Sequence, residues 1–177
     1  VRMVYSPLDA LELARKHPER EVIFFAIGFE TTAPATALTL LRARDAGVGN
    51  FSAFCNHVTI GPPLRAILDS PGLELQGFIA PGHVSTVIGT RPYEFIVDEY
   101  GKPVVVTAFE PLDILQATVM LVRQLQEGRC EVENQYTRVV RPEGNARALA
   151  AIGETMELRE DFEWRGLGVL PASALRV

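Results

Sequence analysis

Five short apolar runs, rich in β-branched and aromatic residues, recur along the first two-thirds of the chain: Val1 to Tyr5, Glu21 to Ile27, Phe51 to Cys55, Leu75 to Ile79 and Val104 to Thr107. Their length and composition predict buried strands. Between them the apolar positions shift to helical spacing: Leu8, Leu11 and Ala14; Leu38 and Leu41; Leu64, Ile67 and Leu68; Val84, Val87 and Ile88. After the fifth run, Leu112, Leu115, Val119 and Val122 fall at i, i+3, i+7 and i+10, the apolar stripe of the longest helix. Strand starts roughly 20 to 30 residues apart suit repeated β-α units with right-handed crossovers. The fold class expected is therefore α/β: a doubly wound, Rossmann-like parallel sheet of about five strands with flanking helices.

The breaks in the pattern agree. Each strand-to-helix junction carries proline near the helix start: Ser6-Pro7, Thr32-Ala33-Pro34, Gly61-Pro62-Pro63, Ala80-Pro81-Gly82 and Glu110-Pro111. Proline suits the first helical turn because its missing N–H would have no partner there. Helix exits show His17-Pro18, Ala46-Gly47-Val48-Gly49-Asn50, Ser70-Pro71-Gly72 and Tyr100-Gly101-Lys102-Pro103. From Gly128 the alternation stops, leaving a strand at Tyr136 to Val140, a turn at Pro142-Glu143-Gly144-Asn145 and a helix near Ala146 to Met156. Residues 1–127 are thus expected to form the α/β domain. Residues 128–177 are expected to form a return segment packing on a domain outside this chain, as in a piece of a longer protein.

Composition narrows the class. At 47% hydrophobic and 22% charged residues the chain is an ordinary folded one. Its net charge of −5, with 17 scattered basic residues, offers no phosphate-binding stripe, so no nucleic-acid partner is expected. The apolar runs are far shorter than the roughly 18 residues of a membrane span, and the start lacks a signal peptide's apolar region; a cytoplasmic protein is expected. Two cysteines, Cys55 and Cys130, make neither a disulfide framework nor a four-thiolate site by themselves.

In open α/β sheets the ligand crevice lies outside the carboxyl ends of the strands, and polar residues gather there. Glu30, Thr31 and Thr32 follow the second run, where a carboxylate and hydroxyls either face the crevice or cap the next helix. Asn56 and His57 follow the third, and Cys55 with His57 makes either a two-point metal chelate or a small buried thiol beside a rim histidine. His83 stands in the first turn of a helix after Pro81-Gly82, where the dipole favours a neutral ring able to act as ligand, base or donor, or as a residue capping its own loop. Ser85 lies in the same turn, and Glu110 repeats the Glu30 arrangement ahead of Asp113. His17, at a helix exit, reads as surface. Gly-x-Gly-x-x-Gly after the first strand, a Walker lysine and a Gly-x-Ser-x-Gly elbow are all absent. The residues by themselves give a polar cleft without a named reaction.

Five ordered motifs extend the reading: Gly28-Phe29-Glu30-Thr31-Thr32, Ala80-Pro81-Gly82-His83-Val84-Ser85, Phe109-Glu110-Pro111-Leu112-Asp113, Glu133-Asn134-Gln135-Tyr136 and Glu163-Trp164-Arg165-Gly166-Leu167-Gly168. Together with Arg2-Met3-Val4-Tyr5-Ser6-Pro7, they make the chain resemble the HypD family of hydrogenase maturation proteins along essentially its whole length. The resemblance implies a scaffold for assembling the Fe(CN)2CO centre of nickel–iron hydrogenases, with a HypC-like chaperone and a HypE-like cyanide donor as partners. It also implies iron and a 4Fe-4S cluster, with a redox role, in the intact protein. The family's thiol motifs, Cys-Gly-x-His and Gly-Pro-Gly-Cys-Pro-x-Cys, and its cluster cysteines have no counterpart here. Neither Cys55 nor Cys130 therefore inherits an iron-ligand role, and no metal or cofactor is expected on this chain alone. With Thr31, Thr32, Asn56 and Ser85 as further cleft candidates, the resemblance implies that the edge bearing Glu30, His57, His83 and Glu110 faces the absent thiol-bearing domain, where these residues help shape or protonate the ligand-exchange site without binding iron. Alone, the chain is expected to catalyse nothing. The alternative is an independent metal-binding or small-molecule enzyme domain built on His57, His83 and a carboxylate.

Overall fold

Ser6 opens the first helix with a reciprocal cap: its hydroxyl accepts from the Asp9 amide at 3.3 Å while the Asp9 carboxylate accepts from the Ser6 amide at 3.0 Å. The computed structural model describes all 177 residues. From this cap run α1 (Pro7–Lys16), β1 (Val22–Gly28), α2 (Ala33–Asp45) and β2 (Phe51–His57). Next come α3 (Gly61–Leu68), β3 (Phe78–Pro81), α4 (Gly82–Ile88), a 3-10 turn (Arg91–Tyr93) and α5 (Glu94–Tyr100). After them lie β4 (Val104–Thr107), α6 (Pro111–Glu127) and β5 (Val132–Asn134). The chain closes with α7 (Ala146–Thr155), β6 (Glu157–Leu158), β7 (Asp161–Trp164), β8 (Gly168–Pro171) and β9 (Leu175–Arg176). No helix is long and apolar enough to cross a membrane.

The chain is mixed α/β with parallel sheets and flanking helices, but the single five-stranded sheet is not formed. β1 pairs in parallel only with β2, and a separate sheet has the order β3-β4-β5, also parallel. Two expected strands fail for separate reasons. Val1 to Tyr5 finds no partner strand and leads, mostly exposed, into the α1 cap. Tyr136 to Val140 folds as turns, with the Val139 and Val140 amides both donating to the Tyr136 carbonyl. The third place in the second sheet goes instead to the three-residue β5, too short to announce itself by alternation.

Two compact units result: Val1–Ile60 with Arg147–Val177, and Gly61–Ala146. The boundary expected after residue 127 thus lies elsewhere, because β5 completes the β4 ladder and the Thr90 amide donates to the Pro142 carbonyl at 3.1 Å. The segment from Arg147 packs on the chain's own first unit. There Ala33 and Ala37 of α2, Cys55 of β2, Ala151 of α7, Met156 and Leu175 of β9 form one apolar cluster. Arg159 ties the same segment down, donating to the Cys55 carbonyl at 2.7 Å and the Leu175 carbonyl at 3.2 Å. Asn50 does similar work after α1, with its amide reaching the Ala14, His17 and Arg20 carbonyls. In the second unit β4 is buried along its whole length, as a central parallel strand should be. Tyr93, Ile96 and Ala117 pack in the same interior.

Candidate functional site

In the first unit the polar residues collect at the carboxyl ends of β1 and β2, whose register pairs Gly28 with His57. Gly28 has φ +117°, and a Cβ there would lie 2.4 Å from the Thr32 hydroxyl oxygen, so only glycine lets the chain turn here from strand to helix. The turn sends Glu30 inward, to 8% exposure. Its Oε1 accepts from the Ile60 amide at 2.9 Å, while Oε2 is enclosed without any hydrogen-bond partner. Burial pushes this carboxyl above the ordinary carboxylate range, and the Ile60 hydrogen bond only partly opposes it. Glu30 therefore does not cap α2. Thr32 does not cap it either, since its hydroxyl turns back toward the Ile27 and Phe29 carbonyls at 3.0 and 3.2 Å. Thr31 is exposed and Asn56 half-buried on the same rim.

His57 is 1% exposed and lies behind this loop. Its Nδ1 is 3.3 Å from the Gly28 carbonyl, which can only accept, so Nδ1 carries the proton. Nε2 then accepts from the Thr36 hydroxyl at 2.9 Å. Burial lowers the ring's proton affinity below the ordinary histidine value, against the pull of the Gly28 carbonyl. With both nitrogens occupied, His57 positions the loop and has no atom left for a ligand. Cys55 points to the same side of β2 but sits in the apolar cluster, so the pair makes no chelate. Trp164, far along the chain, also reaches this edge. Its ring stands 6.1 Å from that of Phe29, and its indole N–H donates to the Ser173 hydroxyl at 2.8 Å. Ser173 in turn offers its carbonyl to the Thr59 amide.

In the second unit His83 is exposed at the start of α4, its ring edge-on to Phe109 with centroids 4.6 Å apart. Ser85 is fully buried, donating to the Pro81 carbonyl at 2.9 Å and meeting the Tyr93 hydroxyl at 3.0 Å; its role is to fix α4 to the 3-10 turn. Gly82 is needed for close packing, because a Cβ would lie 2.3 Å from the Thr107 carbonyl oxygen. Glu110 stands exposed at the N-cap of α6 without capping it through its side chain. Beside it, Asp113 accepts from the Arg138 guanidinium and from the Gln135 amide at 2.7 Å. These bonds, Arg138's foremost, hold its carboxyl below the usual range. Gln135 also takes the Thr107 hydroxyl at 2.9 Å. A depression of about 170 Å³, lined by Ile79, Pro81, Thr107, Phe109 and Ile114, lies at the carboxyl ends of β3 and β4.

Sequence reasoning missed Trp164, Ser173 and the Asp113–Gln135–Arg138 cluster as parts of these edges. Trp164, Asp113 and Gln135 stand in recognisable motifs and Ser173 and Arg138 in none, and nothing in the spacing gives the partners. No three His, Cys, Asp or Glu side chains converge as a metal site.

A family model described as HypD, hydrogenase formation hypA family, matches residues 1–177. The hydrogenase maturation factor HypD of Rhodobacter capsulatus is 59% identical over 177 residues, a match covering 100% of this chain and 47% of that protein. HypD of Rhizobium leguminosarum bv. viciae is 58% identical, with 100% and 48% covered, and HypD of Escherichia coli is 51% identical, with 100% and 48% covered. The chain spans about half the length of the curated relatives it matches.

Proposed function

The chain belongs to the HypD family, and on that premise we propose that it serves hydrogenase maturation as one part of a scaffold on which the Fe(CN)2CO centre of nickel–iron hydrogenases is assembled. The observation that carries this reading is the match to hydrogenase maturation factors along the whole chain. The iron centre is cargo. Its ligands and the 4Fe-4S cluster belong with the family's thiol motifs, which these residues do not carry. The partners are a HypC-like chaperone and a HypE-like cyanide donor.

Within that scaffold the edge of the first unit acts through Glu30. A buried carboxyl pushed above the ordinary range, with Oε2 unpartnered but enclosed, is suited to give a proton or a hydrogen bond to an anionic group once that group's arrival opens the loop over Oε2. Gly28 sets the turn, and neutral His57, locked by Thr36 and the Gly28 carbonyl, keeps Glu30 in place. The rival reading, a complete metal or substrate site on this chain, loses its central ligand because both nitrogens of His57 are occupied.

The test is complementation of a strain lacking its own maturation protein with the full-length protein carrying Glu30→Gln or Glu30→Ala. A loss of hydrogenase activity of at least about tenfold in Glu30→Ala, with chaperone binding retained, is expected. Unchanged maturation in both variants would remove Glu30 from the mechanism. The same assay on His83→Ala and Glu110→Ala decides whether the second unit's edge takes part. Purified anaerobically with ferrous iron, the 177-residue chain should hold well below one iron per chain; a stoichiometric iron lost in His57→Ala/His83→Ala would restore the rival.

A further inference from the structure

Helix α6 turns its longest apolar stripe outward. Its buried residues are Asp113, Ala117 and Gln124, the last holding the Glu131 amide through Oε1 at 2.9 Å. Its apolar stripe faces away from the unit: Leu112, Leu115, Val119 and Val122 are 78%, 63%, 49% and 45% exposed, and Ile114 and Leu125 are exposed as well. An amphipathic helix ordinarily turns that stripe to its own core. On its inner side the helix is held by buried Ala117, by half-buried Met120 and Leu121, and by polar bonds from Arg138 and Gln135 to Asp113 and from Glu131 to Gln124, which leaves the longer apolar stripe for something else.

The spacing says what fits. Steps of three, four and three residues make a narrow seam of the kind that packs against one other helix with knobs in holes, and ten residues at 1.5 Å each give a seam of about 15 Å, or three turns. The only charged side chain among the exposed residues between Leu112 and Leu125 is Arg123. A second copy is the weaker occupant. Four side chains on three turns fall well short of the about 800 Å² per partner of a stable standard-size interface. A helix on the same polypeptide needs no such area, because tethering removes most of the association cost. In the relatives, more than half the length lies outside the region this chain matches.

We infer that the outer face of α6 is the docking seam for an amphipathic helix supplied by the half of the HypD polypeptide beyond these 177 residues. In the full-length protein the stripe is interior, and α6 is the joint through which the second unit is held to the rest of the molecule.

The experiment places p-benzoylphenylalanine at position 119 of the full-length protein and irradiates it. A product of monomer mass, with position 119 joined to a peptide from outside the 177 residues, is expected. A dimer-mass product, an adduct with another protein, a crosslink within the 177 residues or no crosslink at all would each overturn the assignment. A second measurement guards against a misfolded variant. Leu115→Glu/Val119→Glu should lower the melting temperature of the full-length protein by about 5 °C or more and that of the 177-residue chain by less than about 2 °C. Equal shifts in both would overturn it too.

Discussion

Glu30 and His57 lie on adjoining strand ends of one unit and respond to pH in opposite senses. Burial makes the folded chain hold the Glu30 proton more tightly than the unfolded chain, whose carboxyl titrates near 4.5. Its contribution to stability is complete below that value and is lost as pH rises through the raised folded value. His57 is depressed from the ordinary 6.5, so its contribution is complete above 6.5 and is lost as pH falls through the folded value. In urea titrations across pH, Glu30→Gln should remove the loss on the upward side of the carboxylate range and His57→Gln the loss below neutrality. A Glu30→Gln curve parallel to wild type at every pH would show that this burial is not coupled to folding. Gly28→Ala is steric rather than electrostatic. A positive φ and a 2.4 Å approach to Thr32 should cost about 1–3 kcal/mol in the same assay.

At the level of elements, helices α1, α2 and α6 begin at the prolines that the sequence marks, and β1, β2 and β4 fall on the apolar runs, because these signals are local. Partner choice is not local. The run Val1 to Tyr5 has the composition of a strand and no strand to join, whereas Val132 to Asn134 has almost no pattern and is recruited by β4. The carboxyl-edge residues were legible as a group. Which of them are buried was not, since only the fold encloses Glu30, His57 and Ser85 and leaves His83 and Glu110 open. The outward stripe of α6 is the sharpest case, for its period is right and its direction is reversed. In the 177-residue chain, Leu115→Ala should therefore change stability by no more than about 0.5 kcal/mol, while Val105→Ala in fully buried β4 should cost about 2 kcal/mol. Comparable losses from the two in urea titrations would mean that α6 is turned inward in solution.

Across the whole molecule, the first unit is closed by residues from both ends of the chain. Arg159 joins the Cys55 and Leu175 carbonyls, and Arg159→Ala should speed amide exchange in β2 and β9 while leaving β4 and α6 unchanged. Exchange rising equally in both units would mean that they unfold together. The expected boundary after residue 127 missed this closure because Ala151, Met156 and Leu175 meet Ala33, Ala37 and Cys55 only in three dimensions. The same closure orders events during synthesis. As the chain leaves the ribosome, every residue of Gly61–Ala146 has emerged while the earlier Val1–Ile60 still waits for the residues that cover its apolar cluster. The usual N-to-C order of domain folding is thereby reversed, and the nascent first unit, with Ala37 and Cys55 still uncovered, is the stage at which this chain most needs a holding chaperone.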